Sequence, residues 1–467
     1  MIIENPGLQT SPLTWALALG LLVGWALTLP LLLRVRGRWE EVVMNLTGLA
    51  WLGFGLGVVF RFFILAVDAE VYANPSTKLA ERAPAVVDFA LTSAGLFWIC
   101  FVAAALAVRV LPVPRLMRAL VSRSEVLAAP SFLSTIALTG CIVASLLPMT
   151  PAPLVTPLAV VGSMWVVPAT VLWVGAFSGV PTPRLSLVGA LTPGLIRLVL
   201  SPYREHFFVT ALVVLLAAIA AGRRIRLALL IPTCVVLVLS STIAVGTYRQ
   251  VIWAGAAPSE ALSRVSFGIW EERPFEAPWS ENVRRFHSFD SLLLTVDLVP
   301  DVFPFSEHNL LLEGLTRGLI PRLIDPAKQQ SDAGLRFQTQ IWSFDDDPTR
   351  DERTASIAPS MPGSLYEAGG MIEVIGGAVL WGLLVAFIDR LKSTLSSPVS
   401  AGLHVLWAVQ AFAGIERDYS AAFANMLQTL VMFLCVCFVL GRRELARSPS
   451  HTDSPSLVGP SGVEVSM

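Results

Sequence analysis

Residues 86–108 read VVDFALTSAGLFWICFVAAALAV, an apolar run whose one charged residue, Asp88, stands near its start. At 1.5 Å per residue, a helix of about 20 such residues crosses the ~30 Å hydrocarbon core of a bilayer. Similar runs recur near 12–33, 42–66, 130–148, 156–178, 185–201, 207–222, 227–247, 366–388, 399–415 and 420–440. The pattern predicts an all-α polytopic membrane protein of about eleven transmembrane helices. The run at 185–201 holds Pro193, Gly194 and Arg197 and reads as a broken or re-entrant helix, which membranes tolerate where protein or a water-filled cavity surrounds it.

Composition agrees. Of 467 residues, 54% are apolar and 14% charged, and mean hydropathy is +0.68. A soluble domain carries about a quarter charged residues. The net charge of −1 gives no electrostatic footprint for a nucleic acid partner. All five cysteines fall in apolar runs and read as small hydrophobes. Cys435-x-Cys437 has no His or second Cys pair nearby, so no metal site is expected there. Glu4 replaces a basic n-region and the first apolar run is long, so no cleavable signal is expected. No internal repeat is visible.

Orientation follows from the short loops. Arg34, Arg36 and Arg38; Arg109, Arg115, Arg118 and Arg123; Arg184; Arg223, Arg224 and Arg226; Arg390 and Lys392; and Arg442, Arg443 and Arg447 alternate with the spans. Cytoplasmic loops concentrate Lys and Arg. The reading therefore puts the N-terminus outside and the C-terminus in the cytoplasm. Four regions result: an N-terminal bundle at 1–247 (about eight helices by the run count), one large external loop at 248–365 with short amphipathic helices, C-terminal helices at 366–441, and a Ser- and Pro-rich disordered tail at 442–467.

The external loop is where chemistry is expected. It carries Arg249, Arg264, Arg273, Arg284, Arg285, Arg317, Arg322, Arg336, Arg350 and Arg353 on the side where Arg is otherwise disfavoured. Arg offers a planar fork for phosphate or carboxylate; ion pairs with the loop's own carboxylates are the alternative. Arg284-Arg285-Phe286-His287-Ser288-Phe289-Asp290 packs two cations, an imidazole and a carboxylate together, and His and Asp are natural general bases. Leu311, Leu315 and Leu319 repeat at helical spacing, with Glu313 four before Arg317, as in a helix lying on the outer leaflet or packing on protein. Asp345-Asp346-Asp347 reads as solvated loop rather than a cation site. Charges within or at the ends of spans (Arg61, Asp88, Arg197, Arg204 and Glu367) are functional candidates because burial in lipid is costly; for Arg61 the alternative is snorkelling.

The pattern Arg285…Asp290…Val299-Pro300…Gly314…Ile320-Pro321-Arg322…Pro326-x-Lys328, then Ala358-Pro359…Gly363-x-x-Tyr366…Gly369-Gly370 entering a helix, resembles bacterial O-antigen and oligosaccharide repeat-unit polymerases. The layout is similar over nearly the whole chain and the motifs cover about 285–370. Asp325 stands where the family often has an aromatic, and Gln329 follows Lys328 where it often has Pro. The resemblance implies inverting, metal-independent glycosyl transfer without a cofactor, on the outer face of a bacterial inner membrane. The substrates would be undecaprenyl-pyrophosphate-linked glycans of an O-antigen, capsule or exopolysaccharide, with a chain-length regulator and a flippase as plausible partners. Cations are then needed where pyrophosphate charge grows, and Arg204, Arg284, Arg285, Arg317 and Arg322 are the candidates, with Tyr366 as a sugar contact. A base must take the acceptor hydroxyl proton, and His287, Asp290 and Glu367 are the options. A ligase moving a finished glycan, or another lipid-linked-sugar glycosyltransferase, fits the same residues. A transporter would need matching broken helices in two halves, and only the one near Pro193 is found.

Overall fold

A computed structural model of the chain describes residues 7–33, 39–72, 78–111, 162–200, 204–223, 287–306, 309–320, 359–395 and 397–447, with 139, 142, 143, 337 and 341 isolated between them. The spans expected at 130–148 and 227–247, Asp345–Asp347, most of the loop at 248–365 and residues 448–467 fall outside these positions, apart from the isolated ones. All regular structure among the described residues is helical. In chain order the main helices are α1 (Pro12–Leu33), α2 (Leu46–Val67), α3 (Pro84–Val110), α4 (Val166–Phe177), α5 (Arg184–Leu200), α6 (Arg204–Ala220), α7 (Ser288–Leu298), α8 (Leu310–Leu319), α9 (Met361–Lys392), α10 (Ser397–Ala413) and α11 (Tyr419–Arg447).

Among the described residues, five helices are long and apolar enough to cross a membrane: α1, α2, α3, α9 and the segment Pro398–Glu416 that contains α10. Val166–Phe177, Phe208–Ala220 and Tyr419–Cys435 are apolar but shorter. Two elements differ from expectation. α5 runs through Pro193 without interruption, because a membrane helix can satisfy the one backbone group Pro frees with local adjustments. α11 continues through Arg442–Arg447, where tail was expected; Arg, Glu, Leu and Ala are good helix formers, and cations suit a helix C-terminus.

The helices form a bundle with two distinct ends. Thr14 Oγ1 donates to Asp88 at one end, and Arg109 Nη1 donates to Leu31 O (2.7 Å) at the other, so α1 and α3 run parallel. α9 runs with them: Tyr366 lies edge-on to Phe89, and Arg390 donates to Val108 O. α2 runs opposite. Its N-terminus is capped by Asp389 from the end of α9, which accepts the N–H groups of Leu46 and Thr47 (both 2.8 Å) and the Thr47 hydroxyl (2.6 Å). A carboxylate there satisfies orphan N–H groups and opposes the helix dipole. Lys392 Nζ pairs with Asp389 (3.0 Å) and with His404 Nδ1, whose Nε2 donates to Val43 O (2.7 Å). This end carries Arg109, Arg390 and Lys392. The opposite end gathers Ser11, Asp88, α7, α8, the start of α9 and residues 414–420.

α2 holds the bundle together. The stacked rings of Trp25 and Trp51 lie 4.0 Å apart, and each indole N–H donates to the other residue's carbonyl (2.9 and 2.8 Å), bracing α1 to α2. Lipid supplies little hydrophobic drive between helices, so close backbone approach through small residues matters. A Cβ on Gly53 would lie 2.1 Å from Phe412 O of α10. Between Gly55 and Phe60 the helix widens into a π-helical turn, which rotates the following residues, Arg61 first, relative to an unbroken α-helix. α9 breaks at Gly369–Gly370; Gly370 has φ +66°, which favours glycine.

These contacts make a stability prediction. Gly53→Ala drives a methyl into the α10 backbone and should destabilise the purified protein by about 1–3 kcal/mol, as overpacking does. Gly20→Ala and Gly24→Ala, with nothing within 4 Å of the added carbon, should leave its thermal melt in detergent unchanged. Equal melts for all three would contradict this packing.

Candidate functional site

The loop helix α7 enters the bundle at the end away from Arg109 and Lys392. Ser288, Phe289, Asp290 and Ser291 are buried, and Phe289 packs edge-on against Phe62 of α2 (5.6 Å). Asp290 in the first turn suits the positive end of the helix. Its partner is Arg61. Arg61 Nε donates to Asp290 Oδ1 (2.7 Å) and Nη2 to Oδ2 (2.6 Å), with both side chains about 1% exposed. Nη2 also donates to Tyr72 O (2.9 Å). Arg61 is thus turned into the protein rather than snorkelling to the interface, and the pair joins residues 229 positions apart.

His287 caps α7 and is one-fifth exposed. Its backbone N–H donates to Glu416 Oε2 (3.2 Å), its Nδ1 lies 3.2 Å from Ser291 Oγ and 3.9 Å from the same Glu416 oxygen. Glu416 closes the turn between α10 and α11. Ser288 Oγ donates to Ile415 O (3.3 Å) in that turn. Gly57, within the π-turn, makes room: a Cβ there would lie 2.3 Å from Glu416 Oε1 and 2.8 Å from Ser288 Oγ. The result is a partly exposed imidazole beside a carboxylate, above a buried ion pair. The ring is held by Ser291 Oγ, and Glu416 holds the His287 backbone, so a partly exposed imidazole, a general-base type of side chain, stands in a fixed position.

The start of α9 forms the second wall. Ser360 accepts the Gly363 N–H (3.2 Å) as N-cap, and Ser364 Oγ accepts the Tyr419 N–H (3.1 Å). Tyr366 is buried between Phe89 (5.8 Å) and Phe305 (6.1 Å). Glu367 is 7% exposed and its carbonyl accepts the Ser306 N–H (2.9 Å), fastening the segment after α7 to the Gly369–Gly370 break. α8 packs against α11 and α9 through Leu310, Gly314 and Leu315, with Leu312 and Thr316 outward. It is a packing helix here.

Of the residues singled out from sequence, His287, Asp290, Tyr366 and Glu367 stand at this one end of the bundle. Asp290 has both oxygens engaged by Arg61. Arg204 and Arg317 lie on α6 and α8, whose backbones are described at those positions. Arg284, Arg285 and Arg322 lie outside the described residues. Asp88 accepts from Thr14 and Ser11 and ties α3 to the start of α1. Sequence reading missed Glu416: a lone carboxylate in a short turn has no motif, and only its place at the external end of a span pointed to it. Among the described residues no three His, Cys, Asp or Glu side chains converge as they would on a metal ion.

The buried pair is testable. Arg61→Met leaves an unpaired buried carboxylate and should cost about 3–5 kcal/mol. Arg61→Met with Asp290→Leu removes both charges and should recover most of that loss, read as thermal melts in detergent. Additive losses would show the two residues act independently.

No curated protein and no solved structure matches the chain. A family model described as a domain of unknown function (DUF8712) matches residues 131–444. The match takes in α4 to α10 and most of α11 and so includes His287, Asp290, Glu367 and Glu416, while Arg61 precedes it. It spans more than half of the 467 residues, and the chain belongs to the DUF8712 family.

Proposed function

We infer that the protein is a glycosyltransferase of the bacterial inner membrane that joins undecaprenyl-pyrophosphate-linked oligosaccharide repeat units on the outer face. The polymer would be an O-antigen, capsule or exopolysaccharide. The observation that carries this reading is the cluster of His287, Glu416, Arg61 and Asp290 at the root of the Arg-rich segment 248–365. It lies at the end of the bundle opposite Arg109, Arg390 and Lys392, which positive-inside logic assigns to the cytoplasm. The remaining spans of the eleven-helix reading and the external placement of the loop belong to this proposal.

In the proposed reaction an acceptor sugar hydroxyl attacks the anomeric carbon of the donor glycan. A new glycosidic C–O bond forms, the bond from that carbon to the pyrophosphate oxygen breaks, and the configuration inverts. His287 takes the hydroxyl proton at its imidazole nitrogen, its ring oriented by Ser291 and its backbone held by Glu416. Asp290, held by Arg61, fixes the start of α7 and so the position of His287. Arg284, Arg285, Arg317, Arg322 and Arg204 supply cations for the leaving pyrophosphate, while Tyr366, buried between Phe89 and Phe305, braces the start of α9 rather than touching a sugar. Holding two lipid-anchored substrates side by side in one plane converts an encounter into an oriented reaction. A chain-length regulator and a flippase are the expected partners. Transfer of the finished glycan to another acceptor is the second reading, since it uses the same base and cations.

Deletion of the gene in its native host should abolish the long-chain ladder of surface glycan on a gel while single repeat units persist. Wild type should restore it. His287→Ala, Arg285→Ala and Arg322→Ala, at normal protein level, should restore less than about 1% of the long chains, the scale lost with a general base or a key charge. Loss of single units as well would favour an earlier transferase or a ligase. An unchanged ladder would remove the polymerase reading for that glycan.

A further inference from the structure

A cavity of about 90 Å³ lies between α4, α5, α6 and α10, lined by Ser163, Trp165, Gly194, Arg197, Val209 and Gln410 among others. Holding one water takes roughly 10–15 Å³ on this measure, so there is room for several waters or one tetrahedral anion. Arg197 stands one turn before the end of α5, and Gln410 one turn before the end of α10. For α10 that is the end that leads to Glu416. The cavity therefore opens just inside the bundle, and none of its lining residues belongs to the His287 cluster.

Its walls are built for something polar. The Gln410 amide oxygen is buried and has no hydrogen-bond partner. A buried amide oxygen without a partner costs about 1–3 kcal/mol, so a cavity that keeps one beside an arginine is a candidate for binding. The amide presents its oxygen or, rotated, its NH2 group to the cavity. Ser163 adds a hydroxyl. Gly194 lets the neighbours close in: a Cβ there would lie 2.3 Å from Thr210 Oγ1 and 2.8 Å from the Trp165 ring. Trp165, Val209 and Val405 close the remaining wall and lower the local dielectric, which strengthens the pull of Arg197 on an anion.

We propose that this cavity binds a single phosphoryl group, with Arg197 as the cation and Ser163 and Gln410 as hydrogen-bond donors. The guanidinium fork matches phosphate oxygens, and the volume admits one phosphoryl group but not a diphosphate with its sugar. The cavity lies toward the end of the bundle that carries Glu416, within reach of a headgroup drawn in from the surface, so the source is either a lipid monophosphate or free phosphate. For the glycosyl-transfer reading, on which this assignment rests only for the identity of the lipid, an isoprenyl monophosphate is the natural occupant.

The test is binding to the purified full-length chain in lipid nanodiscs, using farnesyl phosphate and inorganic phosphate as probes in calorimetric titrations. Farnesyl phosphate should bind wild type, and its Kd should rise at least tenfold in Arg197→Gln and in Gln410→Leu with thermal melts intact. If either fails to fold, Ser163→Ala carries the same expectation with a smaller rise. Inorganic phosphate that displaces the probe at similar concentration identifies free anion as the ligand; displacement only by the isoprenyl compound identifies the lipid. His287→Gln should bind as wild type does, so that loss of glycan polymerisation and loss of this site are separable. Unchanged affinity in the folded variants, or no binding of either probe to wild type, would overturn the proposal.

Discussion

The ion pair of Arg61 and Asp290 is the constraint on which the end of the bundle depends. Two nearly inaccessible charges, 2.6 Å apart, connect a helix long and apolar enough to cross a membrane to the first described helix of the segment 248–365. Such a pair repays its desolvation only when geometry and extra hydrogen bonds are good. Here the bidentate fork and the Tyr72 carbonyl supply both. Fixing Asp290 fixes the N-terminus of α7, which fixes His287 one turn earlier. Gly57 in the π-turn serves the same end by letting Ser288 and Glu416 approach closely enough to complete the cluster.

The opposite end is organised by the same kind of device with different parts. Asp389 caps α2, and Lys392 and His404 extend the network to Val43. Both ends of α2 are therefore held by carboxylates from distant parts of the chain, one from α9 and one from α7. Between them the Trp25–Trp51 brace fixes its rotation. A helix pinned at both ends and in the middle is a stable platform for a partly exposed imidazole, and the start of α9, with Tyr366 and Glu367 before the Gly369–Gly370 break, stands at the same end of the bundle.

Much of this was legible from sequence, and the reasons for the rest are physical. The apolar runs marked α1, α2, α3, α9 and α10 because length and hydropathy are local properties. Arg61 stood out because charge within an apolar run is costly, and His287 and Asp290 because the stretch 284–290 packs cations, an imidazole and a carboxylate together. Their pairing was not legible: 229 residues separate Arg61 from Asp290, and no local pattern encodes a contact at that distance. The π-turn left no mark either, since Gly55-Leu56-Gly57 suits an ordinary helix as well. Pro193 misled in the other direction: Pro is a strong breaker, and α5 carries it without interruption. Glu416 was invisible as a single acidic residue in a short turn, and became a site residue only when Gly57 and α7 were seen against it.

The account turns on which compartment the His287 cluster faces. The direct measurement is labelling with a membrane-impermeant maleimide in intact spheroplasts, with the native cysteines replaced by Ala and one cysteine introduced at a time. Asp301→Cys lies past the end of α7, at the same end of the bundle as the cluster, and Ser393→Cys at the Asp389 end, and both positions are exposed. The account predicts that position 301 labels from outside and that position 393 labels only after the membrane is permeabilised. The reverse pattern would place the cluster in the cytoplasm, where no outer-face glycan polymerase can work.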